Sequence, residues 1–182
     1  MDLLYTIAEA INNYMNGHGF LVHVVYLVIA AMPMILLHEL GHAVAAVHLL
    51  GEDVEVDVGK VGRLAELKLG QITVSLNAIA HPGQPDGSAQ VDDSRATARD
   101  VLLIALAGPA ASLAGTLLTA MVIYVASPSG VLADLLWAAT VVGAVGVLNL
   151  VPFRYQASRS EPAWRSDGLL ALDALRVVHA LR

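Results

Sequence analysis

The chain has 182 residues, 57% of them hydrophobic and 14% charged, with a formal net charge of -6 and no cysteine. A soluble domain carries about 25% charged residues, so this composition excludes an ordinary soluble enzyme, a disordered chain and a collagen-like fibre. Ten Lys and Arg under a net negative charge argue against a nucleic-acid partner, and the lack of cysteine removes disulfides, thiolate metal sites and cysteine nucleophiles. What remains is an integral membrane protein, organised as one domain over residues 1–182.

In chain order, residues 1–20 hold no Lys or Arg and so lack the basic leader of a cleaved signal peptide. No Asp, Glu, Lys or Arg occurs from Ala10 to Leu37, and beyond Glu39 the apolar run continues to Leu50. This predicts one long helix over about 20–50, interrupted at Pro33 and long enough to cross a bilayer. In the 51–100 connection, Val54, Val56 and Val58, then Leu64, Leu67 and Leu69, then Ile72, Val74 and Leu76 read as short alternating strands. Gly59, Gly62 and Gly70 fall near their turns. The stretch 81–100 is polar and rich in Gly, Pro and Asp, which predicts a mobile loop.

A second span is expected over about 101–126. The turn signal Ser127-Pro128-Ser129-Gly130 divides it from a third over about 131–153, at whose start Asp134 reads as a solvated helix terminus. Ala107, Ala111 and Gly115, and then Gly143 and Gly146, form small-residue stripes that let helices pack closely. Leu169, Leu172, Leu175 and Val178 oppose Asp173, Arg176 and Arg182, which predicts an amphipathic helix over 168–182 at the interface or on the bundle. The expected fold class is thus an α-helical integral membrane protein. It has a three-span core, a small membrane-associated β element and a C-terminal amphipathic helix. Lys60, Arg63, Lys68, Arg95 and Arg99 lie in the long connection, and Arg154, Arg159, Arg165, Arg176 and Arg182 follow the third span. The positive-inside rule then places the N-terminus outside and the 51–100 connection and C-terminus in the cytoplasm of a multi-pass cell-membrane protein.

The chemistry-bearing motif is His38-Glu39-Leu40-Gly41-His42 inside the first span. On a helix, positions i and i+4 share a face, so both imidazoles can bind one Zn²⁺, and Glu39 is placed to take a proton from an attacking water. An acidic side chain in a bilayer costs roughly 2.5–3.5 kcal/mol even on insertion scales, so its presence there points to function rather than to helix gluing. Zinc needs a third protein ligand. His48 follows in HELGHAVAAVH, but Ala45 stands where a helix-breaking Gly would swing the next His back. In an unbroken helix His48 lies about 240° round and about 9 Å along from His42. His48 therefore reads as interfacial, and His18, His23, His81 and His179 as solvated or structural. The other candidate is Asp167, in Ser166-Asp167-Gly168.

An HExxH motif in an apolar helix, followed much later by Asn149-Leu150-Val151-Pro152 and the Asp167-Gly168 pair, resembles the site-2 protease family of intramembrane zinc metalloproteases. Gly108-Pro109 in the second span resembles another feature common in that family. The resemblance covers about 20–180 and implies a zinc metalloendopeptidase with His38, His42 and Asp167 as metal ligands and Glu39 as catalytic base. It also implies that Asn149 helps to place substrate or hold the oxyanion. Fourteen residues, 153–166, separate Pro152 from Asp167 where the family has only a few, so 153–165 must loop out and return. Asp173 is the alternative third ligand. The implied partners are membrane-anchored protein substrates and the lipid bilayer. With no room for a PDZ or CBS domain, substrate choice comes from the core, a regulatory membrane partner or a second copy of the chain. Two other readings are a catalytically silent adaptor for transmembrane helices, which would have no need of Glu39, and a membrane metal-binding or transport protein. A transporter needs further ionisable residues along the other spans, where the sequence offers only Asp134.

Overall fold

Apolar helices of sufficient length dominate the fold. Helix α1, Phe20–Leu50, is 31 residues long and passes through Pro33 without a break. It stops at Gly51, whose φ of 70° is the left-handed conformation that glycine adopts readily, and whose N–H bonds to the Val47 carbonyl. Helix α2, Ala98–Ala126, starts ahead of the expected 101 because Thr97 and Asp100 form a capping box. The Asp100 N–H donates to the Thr97 hydroxyl, and the Thr97 N–H donates to the Asp100 carboxylate. Helix α3, Val131–Leu148, ends short of the expected 153. The N–H groups of Asn149, Leu150 and Val151 each reach back three residues, to Gly146, Val147 and Leu148, a tightening that closes the helix before Pro152. This computed structural model describes residues 19–59, 61–79, 87–91, 94–155 and 164–180, so His18 and His81 lie outside the described residues.

α1, α2 and α3 are each long and apolar enough to cross a membrane. Their outer faces keep Leu21, Leu117, Leu118, Val125 and Val145 more than half exposed, a band of apolar surface that a water-soluble monomer does not show. Small residues set the approach between helices. Gly41 of α1 lies against Ala107 and Ala111 of α2, and Gly115 of α2 lies against Met34 and Leu37 of α1. On α3, Gly143 meets Met34 and Thr116, and Gly146 meets Ser112. This register makes α2 antiparallel to both neighbours and leaves α1 parallel to α3. The Thr119 and Thr140 hydroxyls meet at 2.8 Å across α2 and α3. Asp134 is 4% exposed, so the expected solvated terminus is instead a carboxyl turned into the bundle from the first turn of α3. His23 is also buried, its Nδ1 2.8 Å from the Gly19 carbonyl.

Between α1 and α2 lies a four-stranded sheet in the order β2-β3-β1-β4. Strand β1, Val54–Val58, is parallel to β3, Ile72–Ile79, which forms an antiparallel pair with β2, Val61–Leu69. Val54, Val56 and Val58 are at most 1% exposed and pack with Ala43 and Ala46, so the sheet is seated on the C-terminal half of α1. The expected loop over 81–100 is corrected in part. Gly87–Gln90 form β4, antiparallel to β1 from Glu55↔Gln90 to Val58↔Gly87, and 98–100 belong to α2. Pairing with β1 makes this strand, since its own sequence has no alternation to announce it.

After α3 the chain makes a detour whose ends close on themselves. β5, Arg154–Tyr155, pairs antiparallel with β6, Trp164–Arg165. Ser166 ties the closure: its N–H donates to the Phe153 carbonyl at 3.1 Å and its hydroxyl to the Val151 carbonyl at 2.8 Å. Helix α4 then runs Asp167–Ala180, one residue earlier than predicted. It packs on α2. Ala171 and Ala174 are buried, whereas Leu175 of the expected apolar face stays exposed, as does Val177 beside it. Gly168 donates to the Asn149 carbonyl at 2.9 Å, and a Cβ there would overlap the Leu150 carbonyl. Gly168→Ala should therefore cost about 1–3 kcal/mol, read as a lower thermal midpoint in detergent. Val177→Ala on the exposed side should stay within about 0.5 kcal/mol of the parent chain.

Candidate metal centre

His38 and His42, one helical turn apart on α1, point their rings at α2 and α4, with ring centroids 4.9 Å apart. Their Nε2 atoms are 3.3 Å apart. Asp167 Oδ2, from the first turn of α4, lies 3.0 Å from His38 Nε2 and 3.4 Å from His42 Nε2. Three donors around a tetrahedral Zn²⁺ with bonds of 2.0–2.1 Å stand ~3.3 Å from one another. The triangle of 3.0, 3.3 and 3.4 Å matches that spacing, and its chemistry, two imidazole nitrogens and a carboxylate oxygen, is a zinc donor set. The group is buried and can hold a metal ion.

The far side of each ring is tied down as metal-binding imidazoles require. His42 Nδ1 is 2.7 Å from the Ile104 carbonyl, which only accepts, so Nδ1 carries a proton. Nε2, which faces Asp167, offers its lone pair to a metal ion once the proton it shares with that carboxylate is displaced. His38 Nδ1 is 2.8 Å from the Ser112 hydroxyl, itself 1% exposed. Gly108 makes the first of these contacts possible, because a Cβ there would overlap the His42 ring. Asn149 donates from Nδ2 to Asp167 Oδ2 at 2.6 Å. Expected to place substrate or hold the oxyanion, Asn149 lines the cavity at the donor group and also holds its carboxylate. Burial works to raise the Asp167 pKa, but the hydrogen bonds from His38 and His42 prevail and hold it at about 2, so the carboxyl is ionised at neutral pH. The protons shared within the triangle are those a metal ion displaces on binding.

The structure brings His38, His42, Asp167 and Asn149 together, with Glu39 beside them. Glu39 lines the same cavity of about 360 Å³ as the three donors. Its side chain lies under β4: a Cβ on Gly87 would sit 2.8 Å from both Glu39 Cγ and Oε1. His48 is exposed and apart from the group, since α1 continues unbroken through Ala45. Asp173 is engaged elsewhere, 3.3 Å from Arg176 and 3.7 Å from Arg165, so the alternative third ligand is not at the centre. Ser112 and the Ile104 carbonyl were not singled out from sequence. One serine in a charge-free helix has no ligand spacing, and a carbonyl carries no residue identity at all.

His38→Ala and His42→Ala should each abolish stoichiometric zinc binding, and His48→Ala should preserve it. Zinc at 1,000 times its dissociation constant stabilises a folded chain by about 4 kcal/mol, so added zinc should raise the thermal midpoint of the parent and of His48→Ala only. Asp167→Ala should lose high-affinity zinc by isothermal titration and Asp173→Ala should keep it. The reverse result would remove Asp167 from the centre. The chain matches no family model and no curated protein, so the chemistry of the centre is read from its own donor set.

Proposed function

We propose that the chain is an intramembrane zinc metalloendopeptidase that hydrolyses peptide bonds in or near the transmembrane segments of membrane-anchored proteins, as in the site-2 protease family that its motifs resemble. The observation that carries this reading is the donor triangle of His38, His42 and Asp167 with an acidic residue, Glu39, lining the same cavity. Glu39 stands where a base for an attacking water is needed, a requirement that a metal store or a transport site does not have.

His38, His42 and Asp167 would hold a zinc ion, which when bound would supply a Lewis acid for the scissile carbonyl and for the attacking water. Glu39 takes a proton from the attacking water and returns it to the amine as the C–N bond breaks, leaving the water oxygen in the new carboxyl group. The Ile104 carbonyl holds the His42 ring in the tautomer that leaves Nε2 toward the metal, Ser112 orients the His38 ring, and Asn149 holds the Asp167 carboxylate. A peptide bond in a helix is shielded by its own hydrogen bonds, so the substrate is unwound locally before attack. β4 is an edge strand of its sheet and lies over Glu39, which suits it to pair with the extended segment. In this reading the three apolar helices span the cell membrane, the N-terminus is outside, and the sheet and C-terminus face the cytoplasm. His42 is then eight residues, about 12 Å, inside the cytoplasmic end of α1.

Glu39→Gln keeps the size of the side chain and removes the base. With a single-span reporter as substrate, cleavage should fall by ~10²–10⁴-fold, while zinc content by metal analysis stays at one per chain. Undiminished cleavage would remove Glu39 from the mechanism, and loss of zinc would recast it as a ligand.

A further inference from the structure

A second cavity, of about 440 Å³, adjoins the metal centre. His38, Glu39, Gly87 and Asn149 line both cavities, so the two are halves of one cleft that meet at Glu39. Their linings differ in kind. The half that holds the donors also carries Ser88, Trp164 and Arg165. The other is walled by Met34 and Ile35 of α1, Val142, Val145 and Leu148 of α3, and Phe153. Among the described residues, the only charged side chain on this second half is Glu39 itself.

We propose that this apolar half is the subsite that selects the substrate, seating a large apolar side chain (Leu, Ile, Met or Phe) next to the scissile bond. The inference rests on the protease reading above and adds the substrate class to it. Successive side chains of an extended segment point in opposite directions. A segment with its scissile carbonyl at the donor triangle therefore sends a neighbouring side chain past Glu39 into this cavity. The polar groups of its lining, His38, Glu39, Ser112 and Asn149, lie among the residues of the metal centre and its supports. A polar side chain reaching the wall of Met34, Ile35, Val142, Val145, Leu148 and Phe153 finds no partner there, and burying it unpaired is costly. A small side chain leaves most of the volume unfilled. Met34 adapts the inner wall, since methionine is unbranched and fills irregular gaps, so the site accepts several large apolar shapes rather than one. Val145 is 60% exposed, which opens this half on the outer face of α3 and makes the position tolerant of substitution.

The test incubates the zinc-loaded full-length chain in lipid nanodiscs with a pool of synthetic single-span peptides whose central residues are randomised. Cut positions are read by mass spectrometry. One residue flanking the cut should be Leu, Ile, Met or Phe, favoured over Ala by at least ~10-fold, the discrimination an apolar pocket achieves through missing methylenes. Val145→Trp fills the cavity and should shift that preference to Gly, Ala and Ser with zinc content unchanged. Val145→Ala should extend it toward Trp, and gives a reading even where the larger variant fails to fold. Cuts without side-chain preference, or a preference that neither variant moves, overturn the subsite and leave the protease reading standing. No cut in any peptide by a chain that holds one zinc overturns the protease reading, and the subsite with it.

Discussion

His38 and His42 bring four ring nitrogens into a bundle of apolar helices, and each nitrogen left bare there costs about 1–3 kcal/mol. Both rings lie on one face of α1, so all their partners must come from whatever packs on that face. The Nδ1 atoms are met from α2, by Ser112 and by the Ile104 carbonyl. The Nε2 atoms are met from α4, by Asp167. The Nδ1 contacts are not available unless α2 comes unusually close. Gly41 facing Ala107 and Gly108 facing the His42 ring provide that approach, because a Cβ at either position would overlap its neighbour. Gly41 and Gly108 are therefore tied to the placement of the two rings as well as to helix packing.

The second demand is to return a carboxylate to a point that the chain has already left. α3 ends at Leu148, and Asp167 arrives after the 153–165 detour. Closing a flexible loop costs little more when it lengthens, only about 0.6 kcal/mol per doubling. The detour is therefore tolerable provided that its ends are fixed. The β5–β6 ladder and the hydrogen bonds of Ser166 fix them. Asn149 and Gly168 then join the end of α3 to the start of α4, through both the Asn149 carbonyl and its side-chain amide. The spacing between Pro152 and Asp167 can thus be long while the ends of the two helices stay in contact.

Hydropathy alone made α1, α2 and α3 legible, since charge-free runs of that length have few other uses, and β1 and β3 follow from valine and leucine alternation. β4 was not legible, because Gly-Ser-Ala-Gln has no pattern of its own and exists as a strand only through β1. The Thr97–Asp100 capping box was present in the sequence but lay in a polar stretch that looked like loop. Asp134 looked like a helix terminus, and nothing local told of its burial. At the centre, His38 and His42 announce themselves through i, i+4 spacing. Asp167 lies 129 residues from His38, and only the resemblance to a family pattern singled it out. The long 153–166 spacing then left Asp173 in play until the pairing of Asp173 with Arg165 and Arg176 was seen.

A sheet seated on one of the long apolar helices needs its own explanation, because strand edges are normally excluded from lipid. β1 is protected by β3 and β4 on its two sides and by α1 on its buried face. β4 therefore carries one side of the sheet's unpaired backbone, and the structure places it over Glu39 rather than over an outer helix face. On the proposed reading this placement meets two needs at once. A transmembrane segment that unwinds loses its internal hydrogen bonds, and each lost bond in an apolar medium costs several kcal/mol. The backbone groups of β4 are the nearest replacement, at the point where unwinding is required. The same strand lies against Glu39 at Gly87, so a segment pairing with β4 arrives directly beside the base. An edge that would be a liability elsewhere on this bundle is, at this position, what makes an extended substrate affordable.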